Sequence, residues 1–173
     1  MTAPRTAVEA FLAADPEAWP GLPPHVALAD LAELMRFDGT DRRRGDAGDP
    51  AGHRHWVAAE TRVYSGGLRL WLDAGNSGVV ALEGIHPLDP AGEFRAAPDL
   101  GAPDATFAAV LGPLWLPDAE LVYAARGLAM RRNPANGLLL GLVGFAPVDV
   151  EDYRTRLRPV PEPTRPLRTG GTR

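Results

Sequence analysis

Two stretches of this chain repeat one another. Residues 67–89 read GLRLWLDAGNSGVVALEGIHPLD, and residues 127–149 read GLAMRRNPANGLLLGLVGFAPVD. Sliding the sequence by 60 positions aligns Ala59–Asp89 with Ala119–Asp149 without a gap. Nine pairs are identical: Ala59/Ala119, Glu60/Glu120, Gly67/Gly127, Leu68/Leu128, Asn76/Asn136, Leu82/Leu142, Gly84/Gly144, Pro87/Pro147 and Asp89/Asp149. A duplicated stretch is expected to fold the same way twice, so any assignment of secondary structure has to satisfy both copies.

Antiparallel strands satisfy both. In the first copy, Ser65-Gly66 is a two-residue turn signal between residues 57–64 and 67–74. Pairing Tyr64 with Gly67 sets Val63 opposite Leu68, Thr61 opposite Leu70 and Ala59 opposite Leu72. A second turn at residues 75–78 leads into 79–85, with Leu72 across from Val80, Leu70 across from Leu82 and Arg69 across from Glu83. The second copy then pairs Tyr123 with Leu128, Leu121 with Met130 and Glu120 with Arg131. Leu139, Val143 and Phe145 read as a strand buried on both faces, which suits a central position.

Each apolar sheet face needs a cover. Before the first copy, HVALADLAELMRF places Leu28, Leu31, Leu34 and Met35 at helical spacing; before the second, Phe107, Val110 and Leu111 do the same after Pro103-Asp104. These two helices align at an offset of 76 rather than 60, so the first copy carries an insertion, assigned to the Gly- and Asp-rich loop at 39–55. Asp149 is positioned to cap a short helix through Tyr153 and Leu157, and the proline-rich residues 160–173 read as a loose tail. The expected fold is α+β: two tandem repeats, 1–90 and 91–159, each a helix packed on a three- to four-stranded antiparallel sheet.

A tandem of helix plus small antiparallel sheet resembles the β-lactamase inhibitor protein. As a single unit it resembles the outer-membrane assembly lipoproteins, whose helix runs through L-G-x-P into strands. Leu111-Gly112-Pro113 approximates that motif, and the first copy, ending in Leu34-Met35-Arg36, lacks it. At fold level the resemblance implies a non-catalytic binding sheet.

Composition removes several chemistries. The chain has 173 residues, a formal net charge of −4 and no cysteine, so a basic nucleic-acid face, disulfides, thiolate metal sites and cysteine nucleophiles are not expected. Every basic residue is arginine, which leaves no lysine for a Schiff base or a phosphate-binding loop. The only serines, Ser65 and Ser77, lie in turns. The N-terminus, MTAPRTAVEAFLAADPEAWPG, has no basic segment leading into an apolar run, and no stretch is apolar enough for a membrane span. A cytoplasmic protein without a cofactor is the expectation.

Partner binding is the leading functional expectation. The outward sheet face would carry Glu60, Arg62, Tyr64, Arg69, Trp71 and Glu83, with Arg131 on the second copy. Arginine and aromatic residues dominate protein-binding hot spots, although the same side chains can simply pack on the other repeat. The alternative is a small-ligand or metal site in the 39–55 loop, where Asp41, Asp46, Asp49, His53 and His55 gather without a diagnostic spacing. Glu60 and Glu120 recur through duplication, and no catalytic pair is assigned to them.

Overall fold

The structure is a computed structural model and describes residues 7, 9–11, 13, 15–31, 43–44, 55–59, 63–73, 75, 77–111 and 116–158. In chain order the elements are β1 (Val26–Ala27), α1 (Leu28–Leu31), β2 (Arg43–Arg44), β3 (His55–Ala59), β4 (Leu68–Leu72), β5 (Gly78–Ile85), β6 (Ala105–Leu111), β7 (Leu116–Tyr123), β8 (Leu128–Arg132), β9 (Leu139–Phe145) and α2 (Val150–Asp152). Among the described residues these strands make one antiparallel sheet ordered β2-β3-β4-β5-β9-β8-β7-β6, with β1 beside β5. The fold is α+β with a large sheet and few helices.

Alternation dictates the two faces. Leu68, Leu70, Leu72 and Leu82 point to the same side as Leu128, Met130, Leu139 and Leu142, and all are buried in one cluster. Trp71, Ala81, Val122, Ala129, Val143 and Phe145 fill the opposite side. Strand β9 is therefore covered on both faces and lies at the centre, paired with β5 and β8.

The registers of β4–β5 and β8–β9 agree at an offset of 60. Leu68 faces Gly84 as Leu128 faces Gly144, and Leu70 faces Leu82 as Met130 faces Leu142. An irregularity falls between Trp71 and Leu72 in one pair and between Arg131 and Arg132 in the other. That irregularity moves Leu72 opposite Val79 instead of the expected Val80. The pairing of β7 with β8 is the expected one.

Pairing of β3 with β4 departs from expectation by four residues: Ala59 faces Leu68, and Val57 faces Leu70. The Ser65-Gly66 turn does form, with Gly67 N–H donating to Tyr64 O at 2.9 Å, but its arm binds a different strand. Ser65 N–H donates to His86 O, Gly66 N–H to Ile85 O and Leu88 N–H to Val63 O. A slip by an even number leaves every side chain on its original face, so apolar patterning cannot distinguish the two registers.

The expected covers also change. Residues 105–111 form an edge strand, not a helix, pairing along their whole length with β7. Thr106, Phe107 and Val110 favour extended backbone, and a run this short satisfies helical spacing by coincidence. Val26–Ala27 pairs with β5, and of the helix expected over residues 25–37 only Leu28–Leu31 is described as helical; Leu34 and Met35 lie outside the described residues. Instead of one helix per sheet, the N-terminal segment covers both halves through Ala7, Phe11, Trp19, Leu22, Val26 and Leu31. Trp19 Nε1 donates to Gly127 O at 2.8 Å and Leu22 N–H to Phe145 O at 2.9 Å, fastening it to the second half.

The recurring glycines mark where this cover meets the sheet. A methyl group at Gly84 would overlap the Tyr64 ring, and one at Gly144 would come within 2.9 Å of Phe11 and Trp19. Gly67 and Gly127 both have positive φ, 89° and 66°, as the turns entering β4 and β8 require.

Candidate functional site

A buried charge network occupies the second face. Arg69 and Glu83 sit opposite one another across β4 and β5, and Glu120 and Arg131 do so across β7 and β8. Their neighbours on that face, Ala81, Val122, Ala129 and Val143, are apolar and fully buried, so the carboxylates are withdrawn from water. Glu83 is 3% exposed and Glu120 1%. Buried carboxylates persist only with donors around them.

Glu83 receives the Trp71 indole N–H at 2.9 Å on Oε2 and the Arg131 guanidinium at 2.7 Å on Oε1, with Arg69 at 3.8 Å. Trp71 and Arg131 are 60 residues apart, and each sits beside the irregularity of its own strand. Burial alone would lower the pKa of Arg131, but Glu83 and Glu120 outweigh it and push the guanidinium further up. It stays a cation at every accessible pH.

Glu120 is held from the C-terminal side. Asp149 Oδ1 accepts the Asp152 N–H at 2.8 Å, and the helix it caps carries Tyr153 against the sheet. The Tyr153 ring stacks on Phe145 with centroids 4.5 Å apart, and its hydroxyl donates to Glu120 Oε1. Arg158 Nε donates to Glu120 Oε2 at 2.6 Å while its guanidinium lies 5.0 Å from the Phe107 ring centre. Burial, and next the Glu120 charge, raise the Tyr153 pKa well above the ordinary phenol value.

The network brings together three of the residues expected at a binding face, Arg69, Trp71 and Arg131, and leaves only Arg69 partly exposed. Trp71 is 5% exposed and Arg131 is nearly enclosed, because both are committed to Glu83. Tyr64 is buried on the opposite face, where its hydroxyl donates to Phe11 O. Burial raises its pKa, with Arg95 opposing. Glu60 and Arg62 lie outside the described residues. The sequence reading missed Tyr153 and Arg158 as partners of Glu120; the signal was that Glu120 alternates in phase with Val122, an inward position.

Of the 39–55 loop, only the backbone of Arg43–Arg44 and of His55 is described; Asp41, Asp46, Asp49 and His53 lie outside the described residues. Among the described residues no three His, Cys, Asp or Glu side chains come together as a metal site. A cleft of about 190 Å³ lies elsewhere, lined by Asp15, Glu17, Arg95 and Leu139 among others, and contains neither buried glutamate. No described helix is long and apolar enough to cross a membrane.

Among the described residues the sheet ends in two unlike edges. At one, β2 offers Arg43 and Arg44. At the other, β6 reads ATFAAVL, seven residues without charge, glycine or proline, and pairs only with β7 among the described residues. Thr106 and Ala108 are exposed. Comparison of the chain with protein-family models, curated proteins and solved structures finds no match.

Proposed function

We propose that this chain is a non-catalytic binding protein, made of two fused equivalent units, that docks an extended segment of another macromolecule along the outer side of β6. The observation that carries the reading is the edge itself. About half of the backbone N–H and C=O groups of an outermost strand point away from its neighbour. Edges are normally blunted by charge, proline or shortness. Both residues described in β2 are arginine, whereas the seven residues of β6 include neither charge nor proline. Strand addition draws its affinity from such main-chain groups and its selectivity from alternate side chains, here Thr106 and Ala108 on one side and Phe107 on the other.

Register symmetry supports the two-unit part of the reading. Under an exchange of residues by 60, the pair Ala81↔Phe145 becomes Ile85↔Gly141, Leu82↔Gly144 becomes Gly84↔Leu142, and Glu83↔Val143 maps onto itself; all of these pairs occur. A pseudo-two-fold axis would then pass between Glu83 and Val143. Trp71 and Arg131, equivalent under that axis, converge on the single carboxylate beside it. Each oxygen of both glutamates accepts a donor; in this reading Glu83, bound from both halves, locks the units together, and Glu120 ties the C-terminal segment to the second unit.

The test is affinity capture from native extract with the wild-type chain and with Thr106→Lys. Both proteins must melt alike. Capture lost in the variant, with slowed amide exchange in β6 of the wild-type complex, is the expected result. Equal capture by the variant would remove the edge from the function.

A further inference from the structure

We infer that the segment docked on β6 is β6 of a second copy of this chain, so that two sheets join across a two-fold axis at Ala108. This rests on the reading of β6 as a docking edge and names its occupant. The strand is self-complementary when run antiparallel to itself about that residue. Phe107 then meets Ala109 of the second copy, Leu111 meets Ala105, Thr106 meets Val110, and Ala108 meets Ala108. Large residues face small ones at two kinds of position, a β-branched pair forms at the third, and the smallest contact falls on the axis, where the copies approach most closely. No like charges meet anywhere along the strand.

The other edge argues for the same choice. Pairing β2 with β2 of a second copy would set Arg43 and Arg44 against their own kind, and like charges directly opposite are destabilising. Joining β6 to β2 head to tail would leave edges free at both ends and extend without limit. Among the described edges, β6 with β6 is the combination that is both uncharged and closed. An isologous dimer of this kind uses the same strand on both subunits and, among the described edges, leaves only the arginine-bearing β2 open.

Mass measurement by light scattering on the purified full chain, over a dilution series, tests this directly. The wild type is expected to approach twice the monomer mass. Ala108→Glu and Ala108→Lys each place like charges face to face on the axis at a position exposed in the single chain. Each should weaken self-association by roughly 100-fold or more, and an equimolar mixture of the two should regain the dimer. Recovery in the mixture excludes misfolding as the cause. A wild type that stays monomeric throughout, a dimer indifferent to Ala108→Glu, or a mixture that fails to recover would overturn the inference. In the monomeric case, edge-dependent capture from extract would still leave β6 as a docking strand for a foreign segment.

Discussion

Glu83 shows how much one side chain can constrain. It lies at the seam between β5 and β9, takes its hydrogen bonds from Trp71 in one half and Arg131 in the other, and has almost no access to water. Removing one member of a buried ion pair leaves the other charge uncompensated, at a cost of about 3–5 kcal/mol. Glu83→Ala is therefore expected to lower the denaturant midpoint severely. Trp71→Phe, which removes one hydrogen bond to a charged acceptor, should cost about 1.5–3 kcal/mol. Equilibrium urea unfolding of both variants checks the order. If Glu83→Ala is the milder change, the carboxylate is not the lock described here. Sequence alone placed Arg69 opposite Glu83 and Glu120 opposite Arg131. It did not reveal that Arg131 would turn to Glu83 and Glu120 to Arg158, because register fixes neighbours across one pair of strands and says nothing of a third strand or a following helix.

At the level of elements, legibility tracked the kind of signal available. The register of β7–β8, that of β4–β5 as far as Trp71, and the Asp149 cap are readable because each rests on local chemistry: alternation, a charge pair, or a side-chain acceptor three residues before an N–H. The β3–β4 register is not, since a four-residue slip preserves both faces and only the hydrogen bonds of residues 63–67 to 85–88 decide it. Residues 105–111 form a strand although Phe107, Val110 and Leu111 also satisfy helical spacing, because either period fits so short a run. The candidate site is not legible from such a run, for an edge strand exists only once the sheet's order is known. The Arg- and Trp-rich face pointed instead to the interior, where the same residue types that favour interfaces also build buried networks.

For the molecule as a whole, the sheet is one body whose two faces are sealed by tyrosines as well as by leucines. Tyr64 on one face and Tyr153 on the other both have raised pKa values, chiefly from burial. A tyrosine whose folded pKa lies above its unfolded value, near 10, contributes stability in full below that unfolded value and loses it as pH rises toward the folded one. The protein is thus expected to hold its stability through pH 9 and fall steeply in alkali. Phenolate absorbance of these two tyrosines should appear only together with the loss of near-ultraviolet circular dichroism. Ionisation of both near pH 10 with the fold intact would contradict their burial. Salt should have little effect on the Glu83 and Glu120 network, because enclosed pairs are poorly screened.

The central claim is that β6 is a docking edge, closed by a second copy. Amide hydrogen exchange of β6, resolved by residue and followed across protein concentration, tests it most directly. Protection at residues 105–111 should rise with concentration in the wild type and stay at its dilute level in Ala108→Glu. Fast exchange in β6 at every concentration, unchanged by native extract, would contradict it.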